Sequence, residues 1–198
     1  MTFSITNLMR TSASMAALLL LNFSSLAQVV NIGLYPTAVP DSFEVRLSAT
    51  QTLASQSILN GNFTIRWNDG VGGDVDINTM ASDCGKYALV DNGEPVIINP
   101  PNGSGFRYFS FNISGNSALG TVCPITTTPE PIAGFKMIGF TGCATANIVN
   151  DAYTMPVPPN KNYYLSMGGN PITGSIVSSA IQVGNCTTDC QGVIGGTA

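Results

Sequence analysis

The sequence predicts an all-β protein, an antiparallel β-sandwich of about nine short strands. Apolar and polar residues alternate in several segments, as strands with one buried and one solvated face require. Clusters of Gly, Pro and Asn separate these segments, as turns do between the strands of a sandwich. Of the 198 residues, 44% are hydrophobic and only 9% are charged. This composition excludes intrinsic disorder, which requires low hydrophobicity and high charge.

The three clearest strands are Ser42–Ser48, Asn62–Trp67 and Arg107–Ile113. Each alternates strictly, so we expect one face of each strand to be buried. The expected core residues are Phe43, Val45, Leu47, Phe63, Ile65, Trp67, Phe109, Phe111 and Ile113. Trp67 is the only tryptophan of the chain, and its place in this pattern favours core packing over ligand contact.

Six further strands are predicted from weaker patterns and from the turn residues that separate them. They are Val29–Leu34, Tyr87–Val90, Val96–Ile98, Phe135–Phe140, Tyr163–Met167 and Ile176–Val183. We expect Ser48–Leu59 to be an irregular connection. Thr126–Pro131 and Asn150–Asn162 are rich in proline, which cannot donate a ladder hydrogen bond, so extended connections are expected there.

Two arginines, Arg46 and Arg66, occupy matching outward positions of two clear strands, and Glu44 can reach either of them. If these strands are neighbours, the result is a cross-strand ion pair that contributes up to ~1 kcal/mol. We interpret this pair as structural.

Residues 1–27 predict an export signal that is cleaved before the mature chain begins. Met1–Arg10 carries one positive charge and no acid, Ala16–Leu21 is apolar, and small residues precede the cleavage site. The apolar run is too short for a membrane-spanning helix, which needs about 20 residues. We therefore expect a secreted or cell-surface protein without membrane insertion, with a domain at residues 28–184 and a Cys-containing linker or tail at residues 185–198.

The charge pattern and the histidine count exclude several classes of function. The net charge is −4 and the positive residues after the signal stand singly, so binding to nucleic acid or to an anionic membrane is not expected. The chain contains no histidine, which excludes Ser-His-Asp and Cys-His catalysis, His-ligated zinc and a histidine general base. A glycosidase needs two carboxylates in a cleft, and no sequence feature places such a pair. We therefore expect no enzyme.

Five cysteines follow the signal, and export to an oxidising space makes disulfides the expected state. The spacing leaves several pairings open. We favour Cys186–Cys190 as a tight local loop and Cys123–Cys143 as a link across the Pro- and Thr-rich connection. Cys84 is then left over. A Cys-ligated metal is the minor alternative, because no C-x-x-C spacing is present.

The most acidic stretch is Asn68–Asn78, which we expect to be a hairpin loop. Asp74, Asp76 and Asn78 form a D-x-D-x-N array, and alternating oxygen ligands on a loop suit a hard cation such as calcium. The array does not match the helix-loop-helix calcium motif, because Thr79 and Gly85 occupy the positions of its glycine and glutamate. The alternative is a solvated loop that binds no metal.

Aromatic residues on the outward side of one strand suggest a second kind of site. Phe106 and Tyr108 share this side with Asn112, and Tyr164 is a further candidate. Rings flanked by amides are suited to stack on sugars, so these four residues are the candidate ligand-binding residues. The alternative, which we favour, is that Phe106 and Tyr108 cover a second hydrophobic layer.

The motifs SFEVRL, NFTIRW, GFKMIGF and NYYLSM, around a Pro- and Gly-rich middle, resemble the N-terminal cohesin-like module of large secreted proteins from Bacteroidota. The resemblance covers Gln28 to Val183, and the GVIGGTA tail is similar to the stretch that precedes further repeats in such proteins. It implies a β-sandwich of the immunoglobulin-like or cohesin-like, jelly-roll type. It also implies an extracellular binding or scaffolding role without catalysis, and it supplies no site residues.

These observations together predict a secreted, non-catalytic binding or scaffolding module at the cell surface. Its expected partner is a carbohydrate or another cell-surface protein, and no cofactor is expected apart from calcium. The alternative is a structural subunit that assembles through exposed strand edges, because few charged residues protect those edges. A glycoside hydrolase is the least favoured hypothesis, although a fold alone never excludes a grafted site.

Overall fold

A computed structural model describes residues 29–53, 59–78, 87–91, 96–115, 125–156, 160–177 and 180–186. These residues form a β-sandwich, as the sequence predicts. The predicted signal peptide and most of the predicted tail lie outside them. Within the described ranges, no helix has the length and apolar character needed to cross a membrane.

The described residues contain thirteen strands and one short 3₁₀ turn at Asp69–Val71. The strands are β1 (Val30–Pro36), β2 (Ser42–Ala49), β3 (Leu59–Asn68), β4 (Gly72–Asn78), β5 (Tyr87–Asp91), β6 (Ile97–Ile98), β7 (Phe106–Gly115), β8 (Glu130–Phe140), β9 (Cys143–Ile148), β10 (Tyr164–Met167), β11 (Asn170–Pro171), β12 (Thr173–Ile176) and β13 (Ile181–Gly184).

Two sheets are built from these strands. The five-stranded sheet has the order β12-β1-β2-β8-β4. The eight-stranded sheet has the order β11-β10-β3-β7-β5, with β6 paired to β7, β9 paired to β3 and β13 paired to β9. β1 and β12 run parallel, and the central pairs, such as β1 with β2 and β3 with β7, are antiparallel.

The core lies between the two inner sheet faces and is rich in phenylalanine. Phe43 and Phe135 of the five-stranded sheet stack with ring centroids 5.6 Å apart. Phe63 and Phe111 of the eight-stranded sheet stack at 5.4 Å, and the Phe111 ring meets Phe135 edge-on at 4.8 Å. Such pairs contribute about 0.5–1.5 kcal/mol each beyond their buried area.

The expected core is confirmed at nearly every position. Eight of the nine predicted residues are buried, and Phe109 is partly buried against the same cluster. Trp67 is fully buried, and its indole N–H donates to the carbonyl oxygen of Gly72 at 2.9 Å. The ring therefore links the end of β3 to the start of β4 without leaving its polar atom unpaired.

Strand β4 corrects the prediction of an acidic hairpin loop at Asn68–Asn78. Its backbone pairs with β8, so that Asp76 lies opposite Lys136. Val75 is buried while Asp74 and Asp76 are exposed. The alternation is that of an edge strand, on which outward charges are tolerated and block further pairing.

Other strand boundaries also differ from the prediction. The expected strand Ile176–Val183 is divided between β12 and β13. β9 was not predicted because its buried residues include two alanines, which give a weak apolar pattern. β8 begins at Glu130 and includes Pro131, which lies next to a register shift opposite Arg46, a place where a strand tolerates proline.

The expected neighbours Arg46 and Arg66 lie in different sheets, so the cross-strand pair between their strands is wrong. Glu44 instead pairs with Arg46 along β2, with a carboxylate oxygen 2.8 Å from Nη2. Arg66 pairs with Asp151, a residue 85 positions away whose proximity was not predicted.

The disulfide pattern corrects the favoured pairing. Cys143 is linked to Cys186, so neither Cys123–Cys143 nor Cys186–Cys190 forms. The cause is the pairing of β9 with β13, which sets Gly184 opposite Cys143 and brings Cys186 to the same corner. Cys84, Cys123 and Cys190 lie outside the described residues.

Replacing both Cys143 and Cys186 by serine should lower the free energy of unfolding by about 2–4 kcal/mol, because the bridge restricts the unfolded chain. Guanidinium unfolding followed by Trp67 fluorescence measures the effect. A reductant should shift the wild-type midpoint much more than that of the double variant. An unchanged midpoint in the double variant would contradict the assignment.

Candidate binding surfaces

The sandwich has two outer faces, and they differ in what covers them. On the eight-stranded sheet, the chain between β9 and β10 crosses the outer face. We call its described residues, 149–156 and 160–163, the strap. The Val149 N–H donates to the Thr64 carbonyl at 3.2 Å, and the Thr64 hydroxyl donates to the Lys161 carbonyl at 2.6 Å. Both ends of the strap are thus held by one residue of β3.

Asp151 is the centre of the contact between the strap and the sheet. Its Oδ2 accepts hydrogen bonds from Arg66 and from the Tyr108 hydroxyl, each at 3.0 Å. Its Oδ1 accepts the backbone N–H groups of Tyr153 and Thr154, at 3.0 and 3.1 Å. The same carboxylate therefore shapes the turn of the strap and fixes that turn to β3 and β7. Within the expected extended connection at Asn150–Asn162, residues 151–156 instead form a folded turn.

Tyr108 lies beneath this strap and is only 1% exposed. The Tyr153 ring lies 4.4 Å from it, and a Cβ on Gly103 would come within 2.4 Å of its hydroxyl. Tyr108 therefore does not present the exposed ring that a sugar-stacking platform requires, and its burial agrees with the favoured alternative for this residue. Phe106 carries the Arg66 guanidinium 4.2 Å from its ring centroid.

The buried position of Tyr108 alters its acidity. Burial, together with the neighbouring Asp151 carboxylate, raises the pKa of Tyr108 to about 12, because a phenolate there would lie unsolvated beside another negative charge. The Arg66 guanidinium opposes this effect. Burial also raises the pKa of Tyr163, whose hydroxyl donates to the Val30 carbonyl at 2.6 Å.

The four predicted ligand-binding residues do not form one site. Tyr164 and Asn112 both lie opposite Asn62 and therefore belong to one row across the sheet. Phe106 is six residues from Asn112 along β7, about 20 Å away at the rise of a strand. Tyr108 lies between them, under the strap.

The outer face of the five-stranded sheet carries a cluster in which Tyr35 joins the predicted pair of Glu44 and Arg46. The Arg46 guanidinium lies 5.0 Å from the centroid of the Tyr35 ring and forms an ion pair with Glu44 at 2.8 Å. In the strand register, Gly33 lies beside Arg46 and Gly134 beside Glu44. Both glycines are buried, and the charged pair lies on β2, the middle strand of this sheet.

The β8–β4 side of the same face is more polar. Lys136 and Ile138 of β8 are exposed, and so are Asp74 and Asp76 of β4. The Val75 N–H donates to the Asp74 carboxylate at 2.7 Å. Asp74 therefore occupies a backbone donor of this terminal strand and places a charge beside it, which disfavours strand addition.

The predicted calcium ligands Asp74, Asp76 and Asn78 lie in β4 rather than in a loop. Successive residues on one side of a strand are about 7 Å apart, farther than neighbouring ligands of one ion whose bonds are about 2.4 Å long. In the part of the chain that the structure describes, no three His, Cys, Asp or Glu residues are grouped to hold a metal. The predicted loop is therefore a strand, and calcium binding stays a prediction.

No family model and no curated protein matches the sequence, whereas several solved structures resemble the fold. The sixth cohesin of Acetivibrio cellulolyticus scaffoldin B, solved with a Cel5 dockerin mutant, has 12% identity, a TM-score of 0.38, and covers 78% of this chain and 97% of its own. A type I cohesin in the Coh-OlpC–Doc435 complex from Clostridium thermocellum has 8% identity, a TM-score of 0.42, and covers 78% and 92%. A type III cohesin from the ScaE scaffoldin of Ruminococcus flavefaciens has 8% identity, a TM-score of 0.40, and covers 82% and 92%. Cohesin modules, expected from the sequence, are thus among the structures to which this chain is similar.

The raised pKa of Tyr108 predicts a loss of stability in alkali. An unfolded tyrosine titrates near 10, whereas the folded Tyr108 titrates near 12. The unfolded state therefore releases its proton first, and the free energy of unfolding should fall as pH rises from 10 through 12. Urea unfolding across this range measures the fall, which should be shallower in Tyr108→Phe. Equal slopes for both proteins would refute the assignment.

Removing the Asp151 carboxylate should loosen the strap. Asp151→Ala leaves Arg66 and Tyr108 without their shared acceptor, so we expect a loss of about 1–3 kcal/mol in the free energy of unfolding. Asp74→Ala removes an exposed carboxylate and should change it by less than about 0.5 kcal/mol. Chemical unfolding of the two variants makes the comparison, and equal losses would show that Asp151 has no special role.

Proposed function

We propose that this chain is an exported, non-catalytic module that binds another protein through the outer face of its five-stranded sheet. The observation that carries the proposal is the cluster of Tyr35, Arg46 and Glu44 in the middle of that face. Arginine and tyrosine are the residue types that most often dominate the energy of protein interfaces.

The cluster is ordered before any partner arrives. The Arg46 guanidinium is held on one side by the Tyr35 ring and on the other by the Glu44 carboxylate, with its Nε also donating to Glu44 at 2.9 Å. A side chain already fixed in one conformation loses less entropy on binding than a mobile one. A guanidinium also offers five N–H donors, more than one carboxylate uses.

The surroundings of the cluster suit a protein surface. Gly33 and Gly134 lie beside the two charged residues in the strand register and are themselves buried, whereas Arg46 keeps 34% of its side chain exposed. Ile138 is 43% exposed at the side of the face, and Lys136 and Asp76 lie opposite each other there. An ordered centre with a polar rim is the usual anatomy of an interface.

The expected location outside the cell belongs to this proposal and rests on the signal-like residues 1–27. Assembly through the edge of β4 is less favoured, because Asp74 occupies the Val75 N–H and adds charge at that edge.

A binding assay tests the proposed face. The immobilised protein is incubated with cell-surface proteins and culture-medium proteins of its source organism. Dockerins are tested as well, because two of the cohesin modules above were solved in complex with them. Arg46→Ala and Tyr35→Ala should each weaken binding of the retained partner by tenfold or more, as the loss of about 1.4–2 kcal/mol at an interface centre implies.

The matched control is Met155→Ala, which changes a 59% exposed side chain on the strap, across the sandwich from this face. Its affinity should equal that of the wild type. Each variant is first shown to unfold at the wild-type denaturant concentration. The proposed face is wrong if a partner binds the wild type and all three variants with equal affinity, or if Met155→Ala is the only variant that no longer binds it.

A further inference from the structure

The strap leaves one end of the outer face of the eight-stranded sheet open. Two rows of side chains lie there, one formed by Tyr164, Asn62 and Asn112 and the other by Ser166, Asn60 and Ser114. We call these six residues the neutral strip. The rows belong to β10, β3 and β7, so the strip is about 10 Å wide and its rows are about 7 Å apart.

The outward direction of the strip follows from the buried residues between its members. Phe63 and Leu165 are fully buried and Ile113 is 2% exposed, so the alternate residues on each strand point away from the core. Asn60 and Ser114 are exposed, Asn62, Tyr164 and Asn112 are partly exposed, and Ser166 is buried at 7% exposure. The strip is therefore a surface, in contrast to the covered Tyr108 farther along the same strands.

The strap fixes one border of the strip. The Asn62 amide nitrogen donates to the carbonyl oxygens of Asn162 and Asn160. On the opposite row, the Ser166 hydroxyl donates to the Asn60 carbonyl at 3.2 Å. These bonds hold the strip's polar groups in place, which lowers the entropic cost of binding.

We propose that the neutral strip binds an uncharged oligosaccharide. Apart from the buried Ser166, its side chains are three amides, one hydroxyl and a tyrosine, and none carries a charge. Amides and hydroxyls both donate and accept hydrogen bonds, as sugar hydroxyls do. The Tyr164 ring supplies the apolar surface on which the C–H face of a sugar packs.

The chemistry of the strip selects against charged ligands. An anionic glycan would need an arginine or lysine to replace its lost hydration, and a cationic peptide would need a carboxylate. The proposed protein-binding face on the other sheet contains both kinds of residue, including Arg46 and Asp76. The two faces therefore suit different partners, and the oligosaccharide proposal stands independently of the protein-binding proposal.

The test is a glycan array of neutral oligosaccharides, including cellohexaose, xylohexaose and mannohexaose, with sialyllactose and a heparin hexasaccharide as charged comparisons. The purified protein is applied, and the strongest neutral hit is titrated by calorimetry. We expect saturable binding to at least one neutral class. Tyr164→Ala should weaken it by about tenfold or more, whereas Tyr164→Phe, which keeps the ring, should stay within about threefold.

A second variant and a control protect the test against misfolding. Ser114→Arg puts a bulky charge on an exposed position of the strip and should also weaken neutral binding by about tenfold. Ile98→Ala shortens a 50% exposed side chain of β6 outside the strip and should leave binding unchanged. A blank neutral array, binding to charged glycans alone, or binding insensitive to both Tyr164→Ala and Ser114→Arg would overturn the proposal.

Discussion

The packing of four phenylalanine rings between the sheets is the contact on which the rest of the structure depends. Phe43 and Phe135 come from one sheet and Phe63 and Phe111 from the other. Because side chains alternate along a strand, burying these rings determines which residues face outward. The outward positions of Arg46, Arg66 and the neutral strip follow from the burial of these rings.

A chain with so few charges uses its ion pairs for distinct tasks. Each arginine among the described residues lies in one. Arg46 with Glu44 arranges an exposed face, and Arg66 with Asp151 fixes the strap. Arg107 binds Asp69 at 2.6 Å and donates to the Gly73 carbonyl at 2.9 Å, so it ties β7 to the turn between β3 and β4. Two pairs therefore fix connecting segments to the sheet, and the third orders side chains on an exposed face.

Burial along single strands could be predicted from the sequence, whereas contacts between distant segments could not. The inward residues of β2, β3 and β7 could be predicted because strict alternation reports burial directly. The Cys143–Cys186 bridge could not, since it depends on which distant strands pair. Nor could the segment that covers Tyr108 be predicted, because Asp151 and Tyr153 lie more than forty residues farther along the chain. Among the candidate ligand-binding residues, Tyr164 and Asn112 share one row across the sheet. This could be recognised only from the pairing of β10 and β7 with β3.

The Cys143–Cys186 bridge also has a mechanical consequence. It joins residues separated by 43 positions, so tension applied along the chain passes through the bond and bypasses everything between them. Unfolding under force would then yield about 150 Å less extension than in the reduced protein, at roughly 3.4 Å per residue. The shielded loop contains the strap and Tyr164. An oxidised module stretched from its ends therefore keeps these segments as a closed, unextended loop even after the sandwich has come apart.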